Sequence, residues 1–426
     1  MTEYPLFTVI IPQKNRAEYL VHTLRTCMIQ DYPNFQVIVS DDCSEDNSVE
    51  VVQELAKRDN RIKLFAHSHH LGMRDNFEFA LNQVKEGYVM ALGGDDGLLP
   101  NCIWKMYVIF KNTGLKLLTW PNAGFGYPSS EGGKNILWVR REKPEVKRLK
   151  SSDYLKKISN TFNYLVDDCP MFYVKGIASV DLINKVKSRT PDHCFYYCPT
   201  PDGFSGVVLA GEVEEYAYST EPLSINGSTN KSQGRNYMRS DEKSKAEAEQ
   251  FFNDNIRRTM HRELASQQYS PLITLMTADY LLTAKDLPGW PGNCYDVSIE
   301  QLLLKSFDFI ANTPYEKDNL VRELKILREI AIQHNLLALF DELYKKTKIK
   351  RSKYGMPLGF SVTRSLHFEG SEIGINNIFD ASIATPFIYS FVCRFSFRRL
   401  WELFRNTMLI LLGIRFHTKD SLPDID

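Results

Sequence analysis

The sequence has no excess charge of either sign: 52 Lys and Arg balance 52 Asp and Glu among 426 residues. A nucleic-acid-binding chain usually shows a basic surplus, so the balance argues against such a partner. Cysteine is sparse as well. Eight cysteines do not make a disulfide framework at this length, and none are spaced as C-x-x-C. The nearest cluster, His193-Cys194 with Cys198, offers three candidate ligands at a spacing unusual for zinc. No run reaches the roughly 18–20 apolar residues that span a bilayer. Met1–Pro5 is polar and leads straight into a strand-like run, unlike a secretory leader. A cytoplasmic protein is the expectation, and no internal repeat is evident.

Hydrophobic residues make up 43% and charged residues 24%, the balance of a globular protein. The length suits two to three domains of roughly 100–200 residues. In the first hundred residues, strand and helix signals alternate. Phe7–Pro12 (FTVIIP), Phe35–Ser40 (FQVIVS), Arg61–Ala66 (RIKLFA) and Tyr88–Leu92 (YVMAL) read as strands. Between the first two, Leu20, Thr23, Leu24, Cys27 and Met28 recur at helical spacing. Asp46 or Ser48 is placed to cap the next helix, where Val49, Val52, Leu55 and Ala56 share a face. This βαβαβαβ series predicts an α/β fold with a mostly parallel, doubly wound sheet and right-handed crossovers. Ligands of such sheets bind at the carboxyl ends of the strands.

Three acidic sites stand out on that ground. Asp41-Asp42 follows the second strand, where a carboxylate can accept from a uracil or thymine ring N–H or from a ribose hydroxyl. The surrounding DDCSEDNS also fits a plain turn. Gly93-Gly94-Asp95-Asp96-Gly97 follows the fourth strand. Carboxylates there can hold a hard cation against a phosphate, and the glycines let the backbone approach a ligand. Asp202, in Thr200-Pro201-Asp202-Gly203, is a carboxylate able to take a proton from a hydroxyl, though Pro-Asp-Gly by itself is a turn.

Four ordered segments carry a resemblance: TVIIPQKNR (Thr8–Arg16), QDYPNFQVIVSDDCSEDNS (Gln30–Ser48), LGMRDNFEFAL (Leu71–Leu81) and YVMALGGDDGLLP (Tyr88–Pro100). Together they resemble the glycosyltransferase family 2 domain of the GT-A fold, strongly over residues 6–110 and more faintly over 150–235. The resemblance implies an inverting, metal-dependent transferase of surface-polysaccharide type. Such an enzyme moves a sugar from a UDP- or dTDP-sugar donor to a glycan or lipid-linked acceptor. It implies that Pro12 and Asn15 border the nucleotide base, that Asp42 reads its edge, and that Arg74 lies near the base or diphosphate. Asp95 would contact the ribose or donor sugar, and Asp96 would bind the divalent metal, Mn2+ or Mg2+. The family often has a further Asp two positions before Asp95, where this chain has Gly93. Asp202, upstream of Pro222–Gly234 (PLSINGSTNKSQG), fits the place of the catalytic base.

The rest of the chain is read more plainly. Residues 121–150 look like an irregular insertion ending in a solvated charged run, RREKPEVKRLK, and residues 241–350 read as mainly helical. The expected division is a domain over 1–235, with a nucleotide-sugar-binding half (1–110) and an acceptor-side half (111–235). A helical region (236–380) and a basic aromatic tail (381–426) follow. Phe387–Phe416 sets five arginines (394, 398, 399, 405 and 415) against one acid, Glu402. That composition suits a peripheral helix on an anionic membrane surface, and equally a helix buried against the catalytic domain or a second subunit in an oligomer. His67, His69 and His70 read as a solvated loop, Asp167-Asp168 as a turn or acceptor-side structure, and Phe195–Tyr197 as core. Two other readings stand beside the transferase. One is a catalytically silent nucleotide-sugar-binding or assembly protein, which Gly93 keeps open. The other is a sugar nucleotidyltransferase, which the glycine-free TVIIPQKNR disfavours.

Overall fold

The computed structural model describes residues 4–129, 133–200, 202–231, 258–267, 269–313, 317–349, 359–360 and 365–394, with isolated helical positions at 246 and 250. The chain opens as β1 (Phe7–Gln13), α1 (Ala17–Met28), β2 (Phe35–Asp41), α2 (Ser48–Ala56), β3 (Ile62–Ala66), α3 (Met73–Asn82) and β4 (Tyr88–Ala91). This is the expected alternation. Strands β3, β2, β1 and β4 lie side by side and all parallel, with β1 in the middle. The β-branched run of β1 is buried on both faces, as a strand between helical layers must be. Ile10, Ile38, Val89 and Ala91 face one core with α3. Val9, Ile11, Val37, Val39 and Met90 face another with α1 and α2.

The chain continues with β5 (Gly97–Leu98), α4 (Cys102–Thr113), β6 (Leu117–Thr119), β7 (Ala123–Gly126), β8 (Ile136–Arg140), β9 (Val146–Lys150), α5 (Ser151–Thr161), β10 (Gly176–Ser179), α6 (Val180–Lys187), α7 (Gly203–Gly211), β11 (Glu215–Ser219) and β12 (Ser224–Ser228). The main sheet gains β10, β6, β11 and β9 beyond β4 in mixed orientation. A second sheet runs β14-β8-β7-β12-β5, with β13 (Gly359–Phe360) beyond β14 (Ser365–Glu369). Residues 121–150, expected to be irregular, thus hold three strands. Their short runs are broken by Gly, Pro and charge, which hides the alternation. The charged run ends in β9, an edge strand whose residues are exposed or half-buried throughout.

The helical expectation for 241–350 holds over the described residues: α8 (Ile273–Lys285), α9 (Ile299–Asn312), α10 (Lys317–Gln333) and α11 (Leu337–Lys346). These helices have a core of their own around Leu302, Phe307, Leu327 and Phe340. The packing departs from a separate domain, however. Tyr280, Leu281, Ala284 and Trp290 join the same core as Tyr154, Phe204 and Val208 of the first domain. At the end of the described chain, α12 (Ile378–Arg394) returns to the second sheet, burying Ile378, Ala381 and Tyr389 beside Phe125, Leu137 and Ile225. The start of the expected tail is therefore built into the first domain. The rest of that tail, with the arginines from 398 onward and Glu402, lies outside the described residues. Among the described residues, no helix is long and apolar enough to cross a membrane.

Candidate active site

The acidic loop after β4 is fastened by β12. Asp96 is completely buried. Its Oδ1 accepts from Gly227 N and Asn226 Nδ2, each at 2.9 Å, and its Oδ2 from Gly93 N at 2.7 Å. Burial, and then the charge of Asp95, raises the carboxyl well above its ordinary value, while the Gly227 and Gly93 amides oppose the shift. Asp95 is nearly as buried but differently partnered. Its Oδ2 forms an ion pair with Arg16 Nη1 at 2.8 Å and accepts from Thr229 Oγ1 at 3.2 Å. Burial opposes the charge on Arg16, yet Asp95, Tyr173 and Asp96 together raise its pKa.

Two glycines make this arrangement possible. A Cβ at position 93 would stand 2.6 Å from the Tyr173 hydroxyl, 2.7 Å from Asp96 Oδ2 and 3.1 Å from Asp95 Oδ1. Tyr173 thus occupies the ground on which a side chain at 93 would enter. At Gly94 a Cβ would press to 3.1 Å on Arg16 Cδ. The absent side chain lets the arginine stem lie across the acidic loop. Burial first, then Asp96 and Asp95, hold the Tyr173 phenol well above the usual range, and Asp202 acts in the same sense.

The turn after β1 sits beside this pair. Pro12 is the penultimate residue of β1, which is buried throughout. Asn15 adopts a left-handed φ of 54°, a conformation asparagine tolerates. Its N–H donates to Ser44 Oγ at 2.8 Å, and its Oδ1 accepts from Glu45 N at 2.7 Å. Gln13 Nε2 donates to Asp41, which also accepts from Ser44 N at 2.9 Å. Asp46 or Ser48 is the expected cap of α2, but the helix's N-cap is Asn47, without a side-chain cap bond; Asp46 accepts from Ser48 N at 3.0 Å and from Ala17 N at 3.0 Å, at the start of α1.

Asp42 and Arg74, expected near the nucleotide, are both held by protein partners. Asp42 accepts from Leu71 N at 2.6 Å and Gly72 N at 3.1 Å, and meets His70 Nδ1 at 2.8 Å. It pins the loop entering α3, and His70 is a neighbour that the reading of a solvated loop did not foresee. Arg74 donates from Nε to Tyr196 O at 2.5 Å and pairs through Nη2 with Asp192 at 2.6 Å. Those contacts hold the segment before α7 rather than the acidic loop.

Asp202 is the N-cap of α7. Its Oδ1 accepts from Gly203 N at 2.8 Å and its Oδ2 from the Tyr164 hydroxyl at 3.2 Å. Pro201 lies outside the described residues. Asp167 and Asp168 pair on the surface with Arg140 and Lys157, and Phe195 and Tyr196 are core residues. Cys198 is buried, with Arg258 Nη2 at 3.0 Å from its Sγ, and every cysteine is free. Among the described residues no group of three or more His, Cys, Asp or Glu is arranged to hold a metal.

The structure therefore gathers Asp95, Asp96, Arg16 and Tyr173 beside the β1 turn, while Asp202 caps α7 with Tyr164 against it. Sequence reasoning missed Tyr173, Tyr164 and the β12 residues Asn226 and Gly227. For the last two a signal existed in PLSINGSTNKSQG.

Residues 8–170 match the model of glycosyl transferase family 2. Over that stretch the chain is similar to that family. It is 36% identical over 100 residues to the GalNAc(5)-diNAcBac-PP-undecaprenol beta-1,3-glucosyltransferase of Campylobacter jejuni, covering 23% of this chain and 32% of that one. It is 28% identical over 102 residues to the glycosyltransferase GlyG of Streptococcus pneumoniae, covering 24% and 34%. The matches span about a third of these relatives' length. Among solved structures, TarS of S. aureus in complex with UDP-GlcNAc aligns at 14% identity and a TM-score of 0.44, over 84% of this chain and 95% of that one.

Proposed function

We propose that the chain is an inverting glycosyltransferase of surface-polysaccharide assembly, taking a UDP- or dTDP-sugar as donor and a glycan or lipid-linked hydroxyl as acceptor. The observation that carries this reading is the Asp95–Asp96 loop, clamped by β12 just past the carboxyl end of the parallel strand β4. The nucleotide lies over the β1 turn, bordered by Pro12 and Asn15, and its diphosphate points toward Arg16 and Asp95. Asp202 takes the proton of the acceptor hydroxyl as the oxygen attacks the anomeric carbon, and the nucleoside diphosphate departs from the opposite face.

For a divalent ion, the two carboxylates differ in fit. Asp96 has both oxygens engaged and no exposed surface. Asp95 keeps a small exposed edge, its side chain 6% accessible, so Asp95 rather than Asp96 would hold Mn2+ or Mg2+. Such an ion supplies positive charge to the departing diphosphate. A lipid-linked acceptor would bring the enzyme to a membrane surface, and the basic aromatic sequence after α12 suits that contact.

The test is a transfer assay with UDP- and dTDP-sugars, with and without manganese, reading release of the nucleoside diphosphate in the presence of lipid-linked glycan. Release that depends on both donor and acceptor supports the proposal. Nucleotide binding with no turnover on any acceptor would point to the silent binding protein instead.

A further inference from the structure

The donor site contains its own cation. Asp95, nearly buried, is ion-paired with Arg16 at 2.8 Å. Asp96 faces inward, fully hydrogen-bonded by Gly93, Asn226 and Gly227. The position where the family often places one more carboxylate is a glycine, and the neutral Tyr173 hydroxyl fills the space a side chain there would enter. A site with three open carboxylates would repel a diphosphate until a divalent ion bound. Here the one carboxylate not enclosed by backbone amides is already matched by one arginine.

Arg16 is also built to stay. Its stem rests on Gly94, where even a methyl group would crowd it. Its Nη2 donates to Lys231 O at 3.0 Å, and Lys231 Nζ in turn donates to Asn15 O at 2.7 Å. A guanidinium has more N–H donors than these two contacts use, so it can meet a phosphate while still touching Asp95. Lys231 adds a second positive charge beside the β1 turn.

We propose that Arg16 is the resident cation of the donor site, engaging the diphosphate of the bound nucleotide so that nucleotide binding does not require a divalent ion. This rests on the transferase reading and specifies how that site recognises its donor. A metal ion and Arg16 would share the same carboxylate, so metal adds to a site that already binds.

The test is calorimetric titration of the full chain with UDP, dTDP and GDP, in EDTA and in manganese. The expected result is binding of one nucleotide in EDTA with a Kd within about threefold of the manganese value. Arg16→Met should weaken binding in EDTA by about 10- to 100-fold, the range for losing charge-assisted contacts. Arg16→Lys should retain most of it. Binding that appears only with manganese overturns the proposal and leaves the transferase reading intact. Failure of every nucleotide to bind in either condition sinks both. The wild-type comparison decides the matter even where a variant does not fold.

Discussion

The hydroxyl of Tyr164 donates to Asp202 Oδ2 at 3.2 Å, while its ring packs edge-on against Tyr280 at 5.5 Å between centroids. Tyr280 belongs to α8, so the helical region supports the residue proposed as base. Its own hydroxyl meets Thr200 Oγ1 at 2.6 Å, two positions before Asp202. The acid is thereby held from both sides of its N-cap.

This geometry separates chemistry from donor binding. Asp202→Asn keeps an acceptor for the Gly203 N–H, so α7 stays capped. It should lower the transfer rate by about 10²- to 10⁴-fold, the usual worth of a general base, with nucleotide affinity unchanged. Tyr164→Phe removes only the hydroxyl. It should lower kcat by several-fold while leaving the donor KM in place, because Tyr164 positions the base and touches no donor group. Steady-state kinetics and nucleotide titration of both variants check this. Full activity in Asp202→Asn would remove that residue from its role.

Asp96 makes the fold sensitive to pH. Burial, reinforced by Asp95, pushes its carboxyl up to about 7, against about 4 in an unfolded chain. Between those values the folded protein keeps a proton that the unfolded chain has released. The resulting stabilisation is fully present below about pH 4 and is lost as pH rises toward about 7. Asp96→Asn removes this titration, although its amide must face the Gly93 N–H donor and should cost about 1–3 kcal/mol at acidic pH. Denaturant unfolding at about pH 5 and about pH 8, on either side of the folded value, is the measurement. The wild type should lose stability relative to the variant as pH rises, and parallel behaviour of the two would refute the assignment.

The parallel half of the fold is legible in the sequence for a physical reason. Strands β1, β2 and β4 are short apolar runs buried among helices, each followed by polar residues at the ligand-binding edge. The strands of residues 121–150 are not legible in the same way: β7 is AGFG and β9 is VKRLK, and neither alternates against a single core. Asp95 and Asp96 are recognisable together, but their roles depend on which oxygens β12 reaches, 130 residues away. Asp42 and Arg74 are recognisable as polar residues near strand ends. What holds them, the Leu71 and Gly72 amides and the Tyr196 carbonyl, comes from tertiary folding that local pattern does not encode. Tyr173 carries no motif at all.

Arg74 offers a direct contest between resemblance and geometry. With Nε on Tyr196 O and Nη2 on Asp192, its loss leaves a buried carbonyl without its donor and frees the 190–198 segment. Arg74→Ala should therefore destabilise the protein by about 1.5–3 kcal/mol and leave nucleotide affinity within about twofold. Thermal unfolding and calorimetry on the same preparation measure both. A tenfold loss of nucleotide affinity at unchanged stability would return Arg74 to the donor site.

The last prediction concerns the membrane. On α12, Ile383, Phe387 and Phe391 recur every four residues along one face, 38%, 75% and 62% exposed. The opposite face is buried against the second sheet. An apolar ridge on a helix that ends in Arg394 and is followed by four more arginines and one acid up to Phe416 is the composition of an interfacial helix. Inserting one such side chain into a bilayer interface is worth up to about 1.5–3 kcal/mol, and the arginines add attraction to anionic headgroups. Wild-type protein should co-sediment with phosphatidylglycerol vesicles and much less with neutral phosphatidylcholine, and binding should weaken at high salt. Replacing Ile383 and Phe387 together by Ser should reduce that binding by at least about tenfold, without lowering the melting temperature, since neither side chain belongs to the buried core. Vesicle binding unaffected by the double substitution would show that this face is not the contact.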